Sequence, residues 1–317
     1  MAFPSKKLHS IFLGILLMVT LMAAQVSAAD KTVRFVSVSW TGVTIKTELG
    51  VRILNSLGYK TSNLMVSVPF VYNSLATNEA DVFLGNWMPS MKSIAEPYFE
   101  QGSIIQYVAN MTDAKYTLAA PSYVVESGLK NFTDIAEYGE QLDYKIYGIE
   151  EGNDGNEIIQ DMIDNNMFGL GDFKLISSSE QGMLSEVQYA IRENKWVVFL
   201  GWAPHYMNEI LDMQYLDGST AETFGDNNGT ATVYTNLRQG FAEENPNIAL
   251  FLKNFIFPIE MINEIMTEMH TTNSTHIDQL ALVWVKKHPE VYQQWFTGVQ
   301  TVDGDPALPA FEAYLNR

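Results

Sequence analysis

Cysteine is absent from all 317 residues. That excludes thiol nucleophiles, thiolate-bound metals, disulfide staples and an N-terminal lipidated cysteine. Histidine is scarce. Beyond the first thirty residues only His205, His270, His276 and His288 occur, and none has the HExxH spacing of a zinc helix. No P-loop, GxSxG or GxGxxG is present, so the usual marks of nucleotide, hydrolase and dinucleotide sites are missing. Positive charge is also short, at 19 basic against 37 acidic residues. A surface of that sign repels nucleic acid and anionic head groups and favours cations, weakly at high salt. Most of it reads as solubility or adaptation to a saline habitat. After the N-terminal stretch, no apolar run approaches the length of a membrane span.

The first residues read as an export signal. Lys6 and Lys7 form a positive start, Ile11 to Ala24 is mostly apolar, and Val26-Ser27-Ala28 offers small residues before Ala29-Asp30. This predicts a secretory signal peptide over 1–28 rather than a retained anchor. Taking Lys6 and Lys7 from the 19 basic residues leaves 17 against 37 acidic ones, a formal charge of −20. Export without cysteine is ordinary in a bacterial periplasm. The expectation is therefore a soluble protein of a Gram-negative periplasm.

Two short stretches nearly repeat each other: Val82-Phe83-Leu84-Gly85-Asn86-Trp87-Met88-Pro89 and Val198-Phe199-Leu200-Gly201-Trp202-Ala203-Pro204. Each apolar run is too short for a helix and is bounded by Gly and Pro, so each predicts a buried strand that breaks and presents a tryptophan. Ligands of open α/β sheets sit at such strand ends. Around the first stretch, strands are predicted at Thr32 to Val38, Tyr59 to Val68 and Asp81 to Leu84. Helices over Lys46 to Leu57 and Phe70 to Asn78 separate them. Around the second, strands at Lys145 to Ile149, Phe173 to Ile176 and Trp196 to Leu200 alternate with helices over Glu157 to Asn165 and Gly182 to Glu193. Ile104 to Val108, Ala114 to Ala119 and Val233 to Thr235 read as further strands, and Met261 to Leu315 as helical. Trp40 to Trp87 and Asn153 to Trp202 each span nearly fifty residues.

The expected architecture is α/β, a two-lobed periplasmic-binding-protein fold of type II with the ligand cleft between lobes. Lobe I takes residues 29–117 plus 232–317 and lobe II the inserted 118–231. Crossing segments at Tyr116 to Ala120 and Thr232 to Asn236 form the hinge. Trp40, Trp87 and Trp202 then fall at equivalent strand ends, and Tyr116 where the lobes cross. Convergent aromatic faces bind quaternary ammonium by cation–π attraction. Trp196, Trp284 and Trp295 read as core.

Ser39-Trp40, Leu84-Gly85-Asn86-Trp87-Met88-Pro89, Ala114-Lys115-Tyr116, Gly152-Asn153-Asp154-Gly155-Asn156 and Gly201-Trp202-Ala203-Pro204 together resemble the periplasmic choline- and glycine-betaine-binding proteins of ABC importers. The resemblance covers nearly the whole mature chain. It implies an aromatic box of Trp40, Trp87, Tyr116 and Trp202 around a trimethylammonium group, with the Asn153 loop lining the pocket. It also implies a permease and its ATPase as partners, a monomer, no cofactor, no metal and no catalysis. There is one departure. Choline-specific members resemble this chain but carry an Asp two residues after the first box tryptophan, and here that position is Gly42.

An Asp there would accept a choline hydroxyl and repel the carboxylate of betaine or dimethylsulfoniopropionate. Gly42 removes that repulsion and opens backbone N–H groups at the start of the following helix, which suit an anion. Thr41 and Thr44 add hydroxyl donors. The expected ligand is therefore a zwitterionic onium compound, with choline as the alternative. Glu150, Glu151 and Asp154 lack an EF-hand pattern and read mainly as a solvated, helix-capping loop. Asp154 is nonetheless kept beside Asn153 among the ligand contacts. His205 reads as supporting Trp202. A remoter alternative is an exported hydrolase with an aromatic-lined cleft, which would need two buried carboxylates near Trp87 and Trp202.

Overall fold

The β-branched and aromatic runs form strands where their patterning predicts them, but tertiary partners extend several of these. The computed structural model describes residues 32–317, so the expected signal peptide lies outside the described residues. Among the described residues the strands are β1 (Thr32–Ser37), β2 (Lys60–Met65), β3 (Val82–Met88), β4 (Ile104–Pro121), β5 (Lys145–Tyr147), β6 (Lys174–Ile176), β7 (Phe199–Ala203), β8 (Met213–Tyr215) and β9 (Thr230–Arg238). They make one sheet in the order β2-β1-β3-β9-β4-β7-β5-β6, with β8 beside β4.

The order has an internal symmetry. β1 and β3 are parallel, and β9 closes them antiparallel. β5 and β7 are parallel, and β4 closes them antiparallel. The two closing strands pair with each other, also antiparallel. β4 changes partner along its length: Ile104 to Lys115 face β9, and Lys115 to Ala119 face β7.

Three expectations need correction. The two strands foreseen at 104–108 and 114–119 are one strand, β4. The residues between them stay in the ladder through register slips between Gln106 and Ala114, the signature of β-bulges. Both tryptophans of the repeat lie inside their strands rather than beyond their ends, because β9 and β4 continue to offer backbone partners. The first helix starts at Thr41, not near Lys46. Its N-terminus is satisfied from a distant part of the chain, a cap that local sequence does not reveal.

The C-terminal end of that helix, Thr41–Ser56, is as expected. Gly58 takes φ +90, and a Cβ there would stand 2.6 Å from Val302, so glycine is required on both counts. Helices Ile259–Thr272, Ile277–Lys287, Pro289–Trp295 and Ala307–Leu315 form the C-terminal part. Trp295 is core and donates to Ile256 O at 3.0 Å. Trp284 is only half-buried and stacks on His288 at 3.8 Å. Trp196 is likewise half-buried, against Tyr138.

Candidate functional site

The face of the sheet where β4 meets β7 carries the rings. Tyr116 and Trp202 are directly opposite residues of that antiparallel pair, so their side chains leave the same face. Their centroids lie 6.3 Å apart at 76°. Trp87 is opposite Val233 on β9, and Val233 is in turn opposite Met111 on β4. The pleat thus carries Trp87 to the same side, 5.8 Å from Tyr116. Trp40 precedes helix Thr41–Ser56, and its indole Nε1 donates to Glu150 Oε1 at 2.5 Å.

Trp40, Trp87, Tyr116 and Trp202 line one cavity, together with Gly42, Val43, Lys46, Met111, Ile149, Asp154, Pro204 and Ile262. Each of the four rings is between 7% and 8% exposed. Of the residues expected from sequence, Gly42 and Asp154 join these four at the cavity. Thr41, Thr44 and Asn153 do not line it, because their polar atoms are engaged elsewhere. The Thr41 hydroxyl donates to Glu180 Oε1 at 2.5 Å and its backbone N–H to Glu180 Oε2 at 3.2 Å. The Thr44 hydroxyl donates to Trp40 O at 3.0 Å. Asn153 caps helix Asp154–Asp164, accepting from Asn156 N at 2.9 Å.

Two consequences follow. The helix N-terminus expected to receive a ligand anion already holds the Glu180 carboxylate. Burial works to raise Glu180, but bonds from His205 and Thr41 outweigh it and hold the carboxyl below its ordinary range. Met207 N–H donates to His205 Nδ1 at 3.1 Å, leaving Nε2 to carry the proton towards Glu180 at 3.1 Å. His205 in turn packs edge-on against Trp202 at 4.9 Å. Glu180 and His205 therefore tie the helix start to the Trp202 wall.

The second consequence corrects the reading of Asp154 as solvated. Asp154 is 1% exposed, and neither carboxyl oxygen has a hydrogen-bond partner within normal geometry. Burial pushes it up to about 7, and the nearby Ser90 hydroxyl, itself turned to Trp87 O at 3.3 Å, offsets this only in part. Glu150 is half-buried against Trp40, and only Glu151 is exposed. Gly155 is glycine for space, since a Cβ there would lie 2.2 Å from the Tyr116 hydroxyl.

Sequence reasoning missed the apolar lining residues Val43, Met111, Ile149 and Ile262 and one charged one, Lys46. The sequence marks Lys46 only as the start of a helical pattern, yet it is 2% exposed and lines the cavity. Its signal was the glycine one turn earlier on the same face. The ammonium donates to Asn110 Oδ1 at 3.1 Å and sits 5.6 Å over the Phe257 ring. Burial pushes it down to about 7. Among the described residues no cluster of three or more His, Asp or Glu is placed to hold a metal.

A four-ring cavity with one unpartnered carboxylate is built for an organic cation. Comparison with known proteins agrees. The OpuAC family, described as the substrate-binding domain of the ABC-type glycine betaine transport system, matches residues 31–287. The chain belongs to this family. It is similar to a solved ABC-transporter choline-binding protein in complex with choline, at 43% identity and TM-score 0.88, over 91% of this chain and 99% of that one. An unliganded, semi-closed choline-binding protein superimposes with TM-score 0.82 at 44% identity, over 90% and 99% of the two chains. A glycine betaine/carnitine transport binding protein of Listeria monocytogenes is 30% identical over 178 residues, 56% of this chain and 57% of that relative. The chain thus has the two-lobed α/β fold of substrate-binding proteins. Its family is one of transport proteins, not enzymes, and no described helix is long and apolar enough to cross a membrane.

Proposed function

We propose that this protein captures a methylated onium compound in the periplasm and delivers it to the permease of an ABC importer, without chemical change to the solute. The observation that carries the reading is the joint lining of one cavity by Trp40, Trp87, Tyr116, Trp202 and the unpartnered Asp154. A methylated cation has no N–H to donate, so rings and a nearby negative charge are what it can use. Each ring contributes about 0.5–2 kcal/mol, and four together with apolar burial reach micromolar affinity. Lobe I corresponds to 29–117 with 232–317 and lobe II to 118–231. Lobe closure completes the box and presents both lobes to the permease. Glycine betaine or dimethylsulfoniopropionate is the favoured ligand, since Gly42 leaves no acid at the cavity face of the first helix. Choline is the second reading, favoured by the likeness to a choline complex and by an Asp154 carboxylate able to accept a hydroxyl.

Calorimetric titration of the purified protein with glycine betaine, dimethylsulfoniopropionate, choline, carnitine and trimethylamine oxide tests this. Binding of at least one, unaltered on recovery, is expected. Heat from none of the five, or turnover of any, would overturn the reading.

A further inference from the structure

The cavity contains a charge that an onium group does not use. Lys46 is buried at its wall, four residues after Gly42 on the same helix, and both residues line the cavity. A lysine ammonium has three donors. Only one has a protein acceptor, Asn110 Oδ1, and among the described residues Lys46 makes no ion pair. Asn110 is held rigid, its amide donating to Leu84 O at 3.2 Å and Thr235 Oγ1 at 3.0 Å. A buried, unpaired ammonium is costly unless an anion arrives to pair with it. The helix N-terminus nearby cannot serve as that anion site, because Glu180 fills it. The cavity is therefore bipolar, with Asp154 and Lys46 as unpaired opposite charges on a wall that is otherwise rings and aliphatic groups.

We propose that Lys46 forms an anion subsite that binds the carboxylate of a zwitterionic ligand, while the four rings and Asp154 hold its onium end. This rests on the onium reading and narrows the substrate class to methylated onium carboxylates. In the free protein the two charges are driven towards neutrality. A zwitterion of matching polarity supplies a partner for each, whereas choline supplies one for Asp154 alone.

The test titrates wild type and Lys46→Met, which keeps length and apolar bulk, with glycine betaine, choline and tetramethylammonium. Glycine betaine affinity should fall about 10- to 100-fold, the weight of a charge-assisted hydrogen-bonded pair. Choline and tetramethylammonium should change by less than about threefold. A parallel fall for all three would make Lys46 merely structural, and no change for betaine would also refute the subsite. A measurement on wild type alone covers a variant that fails to fold. Glycine betaine should bind at least about tenfold tighter than its methyl ester, which keeps the cation and loses the anion. An ester that binds as well refutes the subsite while leaving the onium reading standing, whereas a wild type that binds none of these probes overturns both.

Discussion

The ends of β3 and β7 deliver the same side chain from nearly the same sequence, yet they are not the same structure. In β7 the glycine is followed at once by Trp202, and the strand pairs with β4 in unbroken register from Phe199 to Ala203. In β3 an extra residue, Asn86, stands between Gly85 and Trp87. A one-residue insertion in a pleated strand turns everything after it to the other face. β3 avoids this with a register slip against β9 between Phe83 and Asn86, so that three steps on β3 match two on β9. The bulge returns Trp87 to the cavity face. It also turns Asn86 inward, where Tyr72 Oη donates to it at 2.8 Å and it donates to Asn236 Oδ1 at 3.1 Å and Gln106 Oε1 at 3.3 Å. Both glycines are needed for space: a Cβ at Gly85 would lie 2.6 Å from Val43 Cγ2, and one at Gly201 2.9 Å from Ala119 Cβ. A ring position can thus be kept while the backbone beneath it changes, provided buried hydrogen bonds pin the altered strand.

The sharpest way to break this equivalence is to remove each ring in turn. Trp87→Ala and Trp202→Ala should each weaken onium binding by more than about a hundredfold, from lost cation–π attraction and lost contact with the methyl groups. Comparable losses in titration calorimetry would make the two strand ends equal partners. Loss confined to one variant, with the other near wild type, would make the cavity one-sided.

The bulge itself is open to a stability test that has no counterpart in β7. Asn86→Ala leaves the Tyr72 hydroxyl and the Asn236 carbonyl buried without their partner. The expected cost is about 2–4 kcal/mol in denaturant unfolding, with onium affinity lowered as Trp87 loses its fixed register. Unchanged stability would mean that the bulge is held by β9 alone.

How far the sequence carried depends on where the determining contact lies. The paired strands, their glycines, the C-cap at Gly58 and the four rings follow from patterns within about ten residues and were legible. Thr41 as the true helix start was not, because its cap is Glu180, 139 positions away. Asp154 was half legible: its place in the loop was plain, but its burial depends on residues distant in sequence, Ser90 and Tyr116 among them. Lys46 was invisible, since helical spacing places a lysine on a face without saying whether that face meets water or a ligand. β4 was read as two strands because register slips against a distant partner leave no local mark in the sequence.

Gly42→Asp carries the smallest of these effects and addresses the helix that faces the two strand ends across the cavity. Position 42 lies on the first helix, in the company of Trp40 and Lys46, whereas Asp154 opens helix Asp154–Asp164 elsewhere on the same cavity. A Cβ at 42 would meet Met266 Cε at 3.1 Å and Ile262 Cγ2 at 3.7 Å. The first of these is the movable end of a thioether, so the substitution is tolerable. The new carboxylate would stand four residues before Lys46, the favourable order for an ion pair along a helix. It would therefore act twice against a ligand carboxylate, by repelling it and by occupying the ammonium that would receive it. Choline, with a hydroxyl to donate, meets an added acceptor instead. The ratio of betaine to choline affinity should fall about tenfold, close to 1.4 kcal/mol. An unchanged ratio would mean that the first helix takes no part in telling an onium carboxylate from an onium alcohol, and that the discrimination lies elsewhere in the cavity.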